Sequence, residues 1–281
     1  MKFLPLLLLC ACNQVFGLHK TKQRLPDGAA KPDPMCTTGM LPTFGVSSHV
    51  VISRSCTSYS PSESIDLALS SCAADIYAGA VDSDTVVHLP LPATNGDVFS
   101  DARLAPEGDR LIAKRTDAVG QPQGYELFDF IDGVWTHDIT LPFPITTVID
   151  VGIPSRFGVG AHVMCHEIDG LLHERIDDGT GSWPERFTYD PVTLTGDASA
   201  YVRMGSLTPD GLRLVLRAQL LAGDGPTQMM YLERSSIGVA FTGPGVTLAV
   251  PGQVGESWPY LTENCGKLYY SDDATIYVSE Q

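Results

Sequence analysis

With 281 residues, 43% of them hydrophobic and 18% charged, the chain has enough apolar material for one large domain with a buried core, and its composition excludes a disordered polymer. Eighteen Lys and Arg against 33 Asp and Glu leave a formal net charge of -15. Such a surface repels a phosphate backbone and offers no basic stripe, which argues against nucleic acid as a partner.

The N-terminus, MKFLPLLLLCACNQVFG, places one Lys before an apolar run too short to span a bilayer but suited to the h-region of an export signal. Two processing readings stand. Leu9-Cys10-Ala11-Cys12 resembles the lipobox of bacterial lipoproteins, which implies a signal peptide over residues 1–11, lipidation of Cys12 and anchoring to a membrane face. Val15-Phe16-Gly17 offers ordinary cleavage instead, and with it a secreted soluble chain. The lipobox is the preferred reading. Residues 12–42 follow as a tether rich in Pro, Gly, Lys and Asp without apolar periodicity, basic at its membrane-proximal end through His19, Lys20, Lys22 and Arg24.

Residues 43–281 are short apolar runs separated by turn residues, which predicts an all-β domain. A turn signal recurs along them, and the apolar residues that open it are Leu69, Leu104, Ile153, Leu207 and Leu261, at spacings of 35, 49, 54 and 54. Each unit continues with a strand (LIAKR, HVMCHE, LVLRAQ, LYYSD), then a second (YELFDF, GLLHER, MMYLER, TIYVSE), and in the middle units a third near Trp135, Trp183 or Phe241. Four short antiparallel strands per unit are the makings of a propeller blade, since one small twisted sheet cannot bury both faces until it stacks against its neighbours.

LTPDGLRLVLR, LAPEGDRLIAK and LTENCGKLYYSDDATIYVSE resemble the L-S-P-D-G-x-x-L-x-F repeat of the TolB-like (WD-like) β-propeller family from about Leu67 to the C-terminus. The match is good at Leu207 and Leu104, fair at Leu261, and poor at Ser70 and Pro154, where the Asp-Gly pair is missing. The resemblance implies an envelope propeller that binds proteins or small ligands. The reading is a β-propeller of about five four-stranded blades, six if Cys36–Ser64 forms a further one. Gly45–Ser53 is expected to supply the outer strand that the last unit lacks, which closes the ring and removes an exposed edge.

Phosphate-binding loops, dinucleotide fingerprints, nucleophile elbows and Cys-x-x-Cys pairs are absent from the sequence, and no cofactor is expected. Asp66, Asp101 and Asp150 each stand three residues before their unit's anchor, where inner strands enter a central channel. With Arg203 and Trp258 at the matching places they form a candidate ligand-binding rim, the alternative being that each Asp caps its own loop. His162, Met164 and His166 share one strand face and form a candidate metal set, the alternative being imidazoles packed between blades. Cys56 with Cys72 is the candidate disulfide, with Cys36 and Cys265 a possible second pair and Cys165 a buried thiol, although spacing leaves the connectivity open. Ser-rich Arg54–Ser64 reads as a surface loop. The functional expectation is a binding module at the bacterial cell envelope, with an envelope protein or a small ligand as partner and the variable loops Asp117–Gly124 and Leu221–Thr227 as its rim. A propeller hydrolase working at the channel mouth and an envelope metal-binding protein are the competing expectations.

Overall fold

In a computed structural model, the described residues are 39, 41–46, 49–53, 56–72, 75–93, 96–143, 148–155, 158–219, 227–250, 257–271 and 275–281. The expected signal peptide, Cys12, Cys36, most of the expected tether and residues 220–226 lie outside them.

The strands form five four-stranded antiparallel sheets. The first strand, β1 (His49–Ser53), belongs to the last blade, and blade 1 runs from β2 (Cys56–Ser62) through β3 (Leu67–Cys72) and β4 (Asp75–Gly79) to β5 (Val86–His88). Blade 2 holds β6 (Val98–Leu104), β7 (Arg110–Thr116), β8 (Pro122–Ile131) and β9 (Val134–Leu141). Blade 3 holds β10 (Val148–Val151), β11 (His162–Glu167), β12 (Leu172–Ile176) and β13 (Glu185–Tyr189). Blade 4 holds β14 (Tyr201–Leu207), β15 (Arg213–Gln219), β16 (Thr227–Glu233) and β17 (Val246–Thr247). Blade 5 holds β18 (Ser257–Leu261), β19 (Lys267–Ser271) and β20 (Thr275–Glu280), and its outer strand is β1. The N-terminal strand pairs antiparallel with the C-terminal one, His49 opposite Val278, so the ring closes as the unpaired last unit requires. Among the described residues one short helix, α1 (Pro191–Thr195), is capped by Asp190, which accepts from the Thr193 N–H at 2.7 Å.

Burial follows from stacking. Each of the five gaps between neighbouring blades holds one apolar cluster, such as Met164, Leu172, Leu214 and Leu216 between blades 3 and 4, or Val215, Met229, Leu268 and Tyr270 between blades 4 and 5. Alternate residues of one strand therefore serve opposite neighbours, as Val215 and Leu216 do.

The recurring turn explains itself in hydrogen bonds. In blade 4, Asp210 Oδ1 accepts from the Leu212 N–H at 3.0 Å, while Gly211 takes φ 68° and its N–H donates to Thr208 O at 2.7 Å. In blade 5, Asn264 takes the carboxylate's part by accepting from the Gly266 N–H at 2.9 Å, and Cys265 occupies the left-handed position at φ 57°. The degenerate Glu-Asn-Cys-Gly sequence thus keeps the same geometry.

Blade 1 departs from the sequence reading. Leu207 pairs with Leu214, Leu104 with Leu111 and Leu261 with Leu268, and the matching pair in blade 1 is Pro61 with Ala68. The anchor is therefore Pro61, and Leu69 lies inside the second strand. The Ser-rich stretch is likewise not a surface loop: Cys56–Ser62 is the innermost strand, with Ser58, Ser60 and Ser62 buried. Polar composition concealed it because two of these serines find partners in neighbouring blade 2, Ser58 in Arg103 and Ser62 in Pro106 O at 2.6 Å. With that stretch absorbed into blade 1, the blade count is five.

Closure between the last blade and the first is reinforced by polar contacts. The Tyr269 hydroxyl donates to Asp82 Oδ1 at 2.8 Å, Lys267 pairs with the same carboxylate, and the Asp82 N–H donates to the Tyr59 hydroxyl at 3.0 Å. The Tyr59 and Tyr269 rings lie 5.0 Å apart. Burial, with the Asp82 charge added, raises the Tyr269 phenol, so it stays a donor throughout the working pH range. Tyr269→Phe is expected to cost about 1–2 kcal/mol, read as a lower urea midpoint with an unchanged slope.

Candidate functional site

An antiparallel blade places the start of its inner strand and the loop between its second and third strands at the same end of the ring. For blades 2, 3 and 4 that end holds the β7–β8 loop at 117–121, the β11–β12 loop at 168–171, and the beginning of β14. The Cys56–Cys72 disulfide ties β2 to β3 at this end, while Cys165 is a buried thiol and Cys265 is disulfide-bonded.

Every inner strand carries a register irregularity near its entrance: between Cys56 and Ser58, Ser100 and Arg103, Val148 and Asp150, Arg203 and Ser206, and Ser257 and Tyr260. A bulge inserts one residue against its partner strand and re-aims the side chains around it. Asp101 at φ 49° and Trp258 at φ 55° sit within two of these bulges.

The predicted rim residues are not brought together as one set. Asp66 lies in the β2–β3 turn, where its Oδ1 accepts from the Val81 N–H at 3.2 Å, whereas Asp101 lies inside β6. Asp66 therefore holds its own blade's loop. Asp101 is half-buried, and its carboxylate has no hydrogen bond or ion pair among the described residues. The backbone of Asp150 lies in β10 opposite His166, and its side chain is outside the description. Trp258 does reach the channel, but the group on its face is Arg103, whose guanidinium carbon stands 3.9 Å from the ring centroid.

Arg103 crosses the middle of the ring. It is 1% exposed, donates from Nη1 to Ser58 Oγ at 2.8 Å in blade 1, and donates from Nε to Val151 O at 3.1 Å in blade 3. One side chain from blade 2 thus links blades 1, 3 and 5. The channel is a packed core here, and its chemistry is that of a buried cation on an aromatic face.

Arg203 belongs to the surface of this end. Its Nε donates to the Tyr201 hydroxyl at 2.6 Å, and it pairs directly across the ladder with Arg217, as Tyr201 does with Gln219. These four half-buried residues line a depression of about 130 Å³. Among the described residues no carboxylate lies within ion-pair distance of either arginine. Next to them is His166, 2% exposed, its ring 5.7 Å from that of Tyr201 and both of its nitrogens without a partner among the described residues. Burial first, and the Arg203 charge second, bring its pKa down to about 4, so the imidazole is neutral at pH 7.

The metal candidates share the blade 3 face that meets blade 4, but they do different work. Met164 packs in the apolar cluster there. His162 is buried and donates from Nδ1 to Glu174 Oε1, because an ionised carboxylate only accepts. Glu174, fully buried, also accepts from the Tyr189 hydroxyl at 2.7 Å and from Arg234 Nη1 at 3.0 Å, and Arg234 Nη2 approaches its other oxygen at 2.8 Å. Burial opposes the charge of Glu174, but hydrogen bonds from His162 and Arg234 and the Arg234 charge outweigh it and hold the carboxyl below the usual range. Arg234 lies over the Phe241 ring at 4.4 Å and donates from Nε to Gly211 O. The four side chains bolt blade 3 to blade 4.

Sequence reasoning missed Arg103, Arg217, Glu174 and Arg234. Counting outward from the Thr-Pro-Asp-Gly turn sets Arg203 opposite Ala218; the bulge shifts the pairing by one and brings in Arg217, and a one-residue slip exchanges the faces of a strand.

No protein-family model and no curated protein matches the sequence. Among solved structures, a chain of the crystal structure of the mitotic checkpoint complex is similar at a TM-score of 0.42 and 12% identity, over 92% of this chain and 97% of that chain. The five-bladed fold stands on the strand pairing itself, and such a fold is consistent with a binding or scaffold module.

Proposed function

We propose that the chain is an exported β-propeller of TolB-like type, held at the bacterial cell envelope through a lipidated Cys12, and that it binds a partner protein on the end of the ring carrying the β7–β8 and β11–β12 loops. The leader and the repeat motif support export and the envelope. The observation that carries the binding face is the joint placement, on adjacent blades and at one end, of two bare apolar loop tips and an arginine pair without a counter-ion among the described residues. Val119 is 80% exposed and Ile168 is 70% exposed. Both tips are held out by ordered turns, since Asp117 Oδ1 accepts from the Gln121 N–H at 2.8 Å and Asp169 Oδ1 from the Leu171 N–H at 2.9 Å. Preorganised apolar tips beside unneutralised charge match the anchor-and-rim pattern of protein interfaces.

Cross-linking in envelope extract with mass-spectrometric identification tests this reading. The combined Val119→Asp and Ile168→Asp variant is expected to lose about tenfold or more of a specific cross-linked species. Val159→Asp, an equally exposed tip at the opposite end of blade 3, is expected to retain it. Equal loss in both variants, or none in either, excludes this face.

A further inference from the structure

We infer that Arg203 and Arg217, with the Tyr201 hydroxyl, form a recognition point for a single oxyanion, a carboxylate or a phosphate, on the docking face. This inference deepens that reading and rests on it for the identity of what carries the anion.

The argument begins with charge. In a chain whose net charge is -15, two arginines are direct partners on neighbouring strands and line one depression, a placement in which like charges repel. Most other arginines at blade surfaces are neutralised: Arg110 by Asp129 at 2.7 Å, Arg175 by Glu167 at 2.6 Å and Arg213 by Asp210 at 2.8 Å. Arg203 and Arg217 have no such partner among the described residues.

Donor geometry points the same way. Because the Tyr201 oxygen accepts from Arg203 Nε, its own proton is left for a further acceptor. Arg203 keeps its terminal nitrogens and Arg217 its whole fork. Every polar group these three residues offer to the depression is then a donor, which suits an oxyanion and repels a cation. A depression of about 130 Å³ has room for one such headgroup, roughly the space of four waters, and not for a whole cofactor.

His166 supplies an independent observation. A buried imidazole with both nitrogens unpartnered among the described residues is a polar group left unsatisfied there, and it stands in an edge arrangement with the Tyr201 ring that walls the depression. It lies behind the Tyr201 ring rather than among the residues that line the depression, and it brings no positive charge to the arginine pair.

The test is thermal unfolding and isothermal titration of the purified protein with inorganic phosphate and with acetate, each against chloride at matched ionic strength. Phosphate or acetate is expected to bind at one site per chain and to raise the melting temperature above the chloride control; whichever binds more tightly identifies the headgroup. In Arg217→Gln the anion affinity falls about tenfold or more, while the melting temperature in chloride is unchanged or higher, because a like-charge contact has been removed. A merely structural Arg217 would instead lower the melting temperature in chloride. The inference is overturned if neither anion exceeds chloride, or if Arg217→Gln binds as well as the parent protein. If no anion binds while the Val119 and Ile168 variant still loses its cross-linked species, the oxyanion point falls and the docking face stands. The converse result retains the anion point and removes the docking face.

Discussion

Glu174→Gln is expected to lower the unfolding free energy by about 3–5 kcal/mol, the cost of leaving a buried charge without its partner. The substitution keeps the shape of the side chain but removes the charge that faces Arg234, and both residues are fully buried between blades 3 and 4. An amide also cannot accept the His162 and Arg234 donors on both of its terminal atoms, so at least one buried donor is stranded. Equilibrium urea unfolding measures the loss as a shift of midpoint. Replacing both charges, in Glu174→Leu with Arg234→Met, is expected to cost less than the single change, since burying neither ion avoids the desolvation that the pair has to offset. A single-variant loss under about 1 kcal/mol would mean that the joint between the two blades does not depend on this network.

The same carboxyl gives a pH dependence with a definite sign. Its folded pKa lies below the ordinary glutamate value of 4.5, so the folded state binds fewer protons than the unfolded one. The stabilisation it supplies is fully present above the unfolded value and is lost as pH falls through the folded one. Parent and Glu174→Gln stabilities should therefore converge on acidification below about pH 4.5 and remain parallel above it. Convergence on the alkaline side instead would contradict the assignment.

Arg103→Ala is expected to cost about 2–4 kcal/mol, the scale of a charge-assisted hydrogen bond together with a desolvated cation–π contact, which do not add in full. The reason lies in position. Five inner strands converge on the axis, and the Arg103 guanidinium is the group that spans from Ser58 in blade 1 to Val151 O in blade 3, with Trp258 of blade 5 on its face. Truncation takes a donor from Val151 O and from Ser58 Oγ at a buried position. Arg103→Lys should recover less than half of the loss, because an ammonium donates from one point and cannot stack flat on the indole while reaching both acceptors. Urea midpoints of the two variants, with the tryptophan emission of the folded state as a reporter of Trp258, provide the measurement. Full recovery by Lys would show that charge alone matters there and that the planar fork does not.

The two residues behind the largest expected effects share a property: neither can be recognised from its neighbours in the chain. Glu174 is followed by Arg175 in the run LHERI, which reads as a half-exposed strand end, yet Glu174 is buried against a residue sixty positions away while Arg175 pairs with Glu167 on the blade's other face. Arg103 precedes the apolar anchor Leu104 and shows no local sign that it crosses the axis. Asp66 fails in the opposite way: its spacing to Leu69 matched that of Asp101 to Leu104, but the anchor of blade 1 is Pro61, so the match held no structural meaning.

What the sequence by itself determined about this protein is whatever local chemistry can enforce. Thr-Pro-Asp-Gly and its Asn264 variant dictate hairpins through hydrogen bonds that reach no further than five residues, and the alternating strands beside them cannot bury two faces unless blades stack. An odd outer strand at the N-terminus and a blade lacking one at the C-terminus dictate closure, since an unpaired edge must find its donors and acceptors somewhere. Tertiary structure alone decided the rest. It set the register of blade 1, where buried serines are satisfied by Arg103 and Pro106 of the next blade, and it set which residues face one another across the bulged inner strands. The physical reason is common to both: a bulge of one residue exchanges the two faces of a strand, and the energy that selects it comes from partners in other blades, which no stretch of sequence contains.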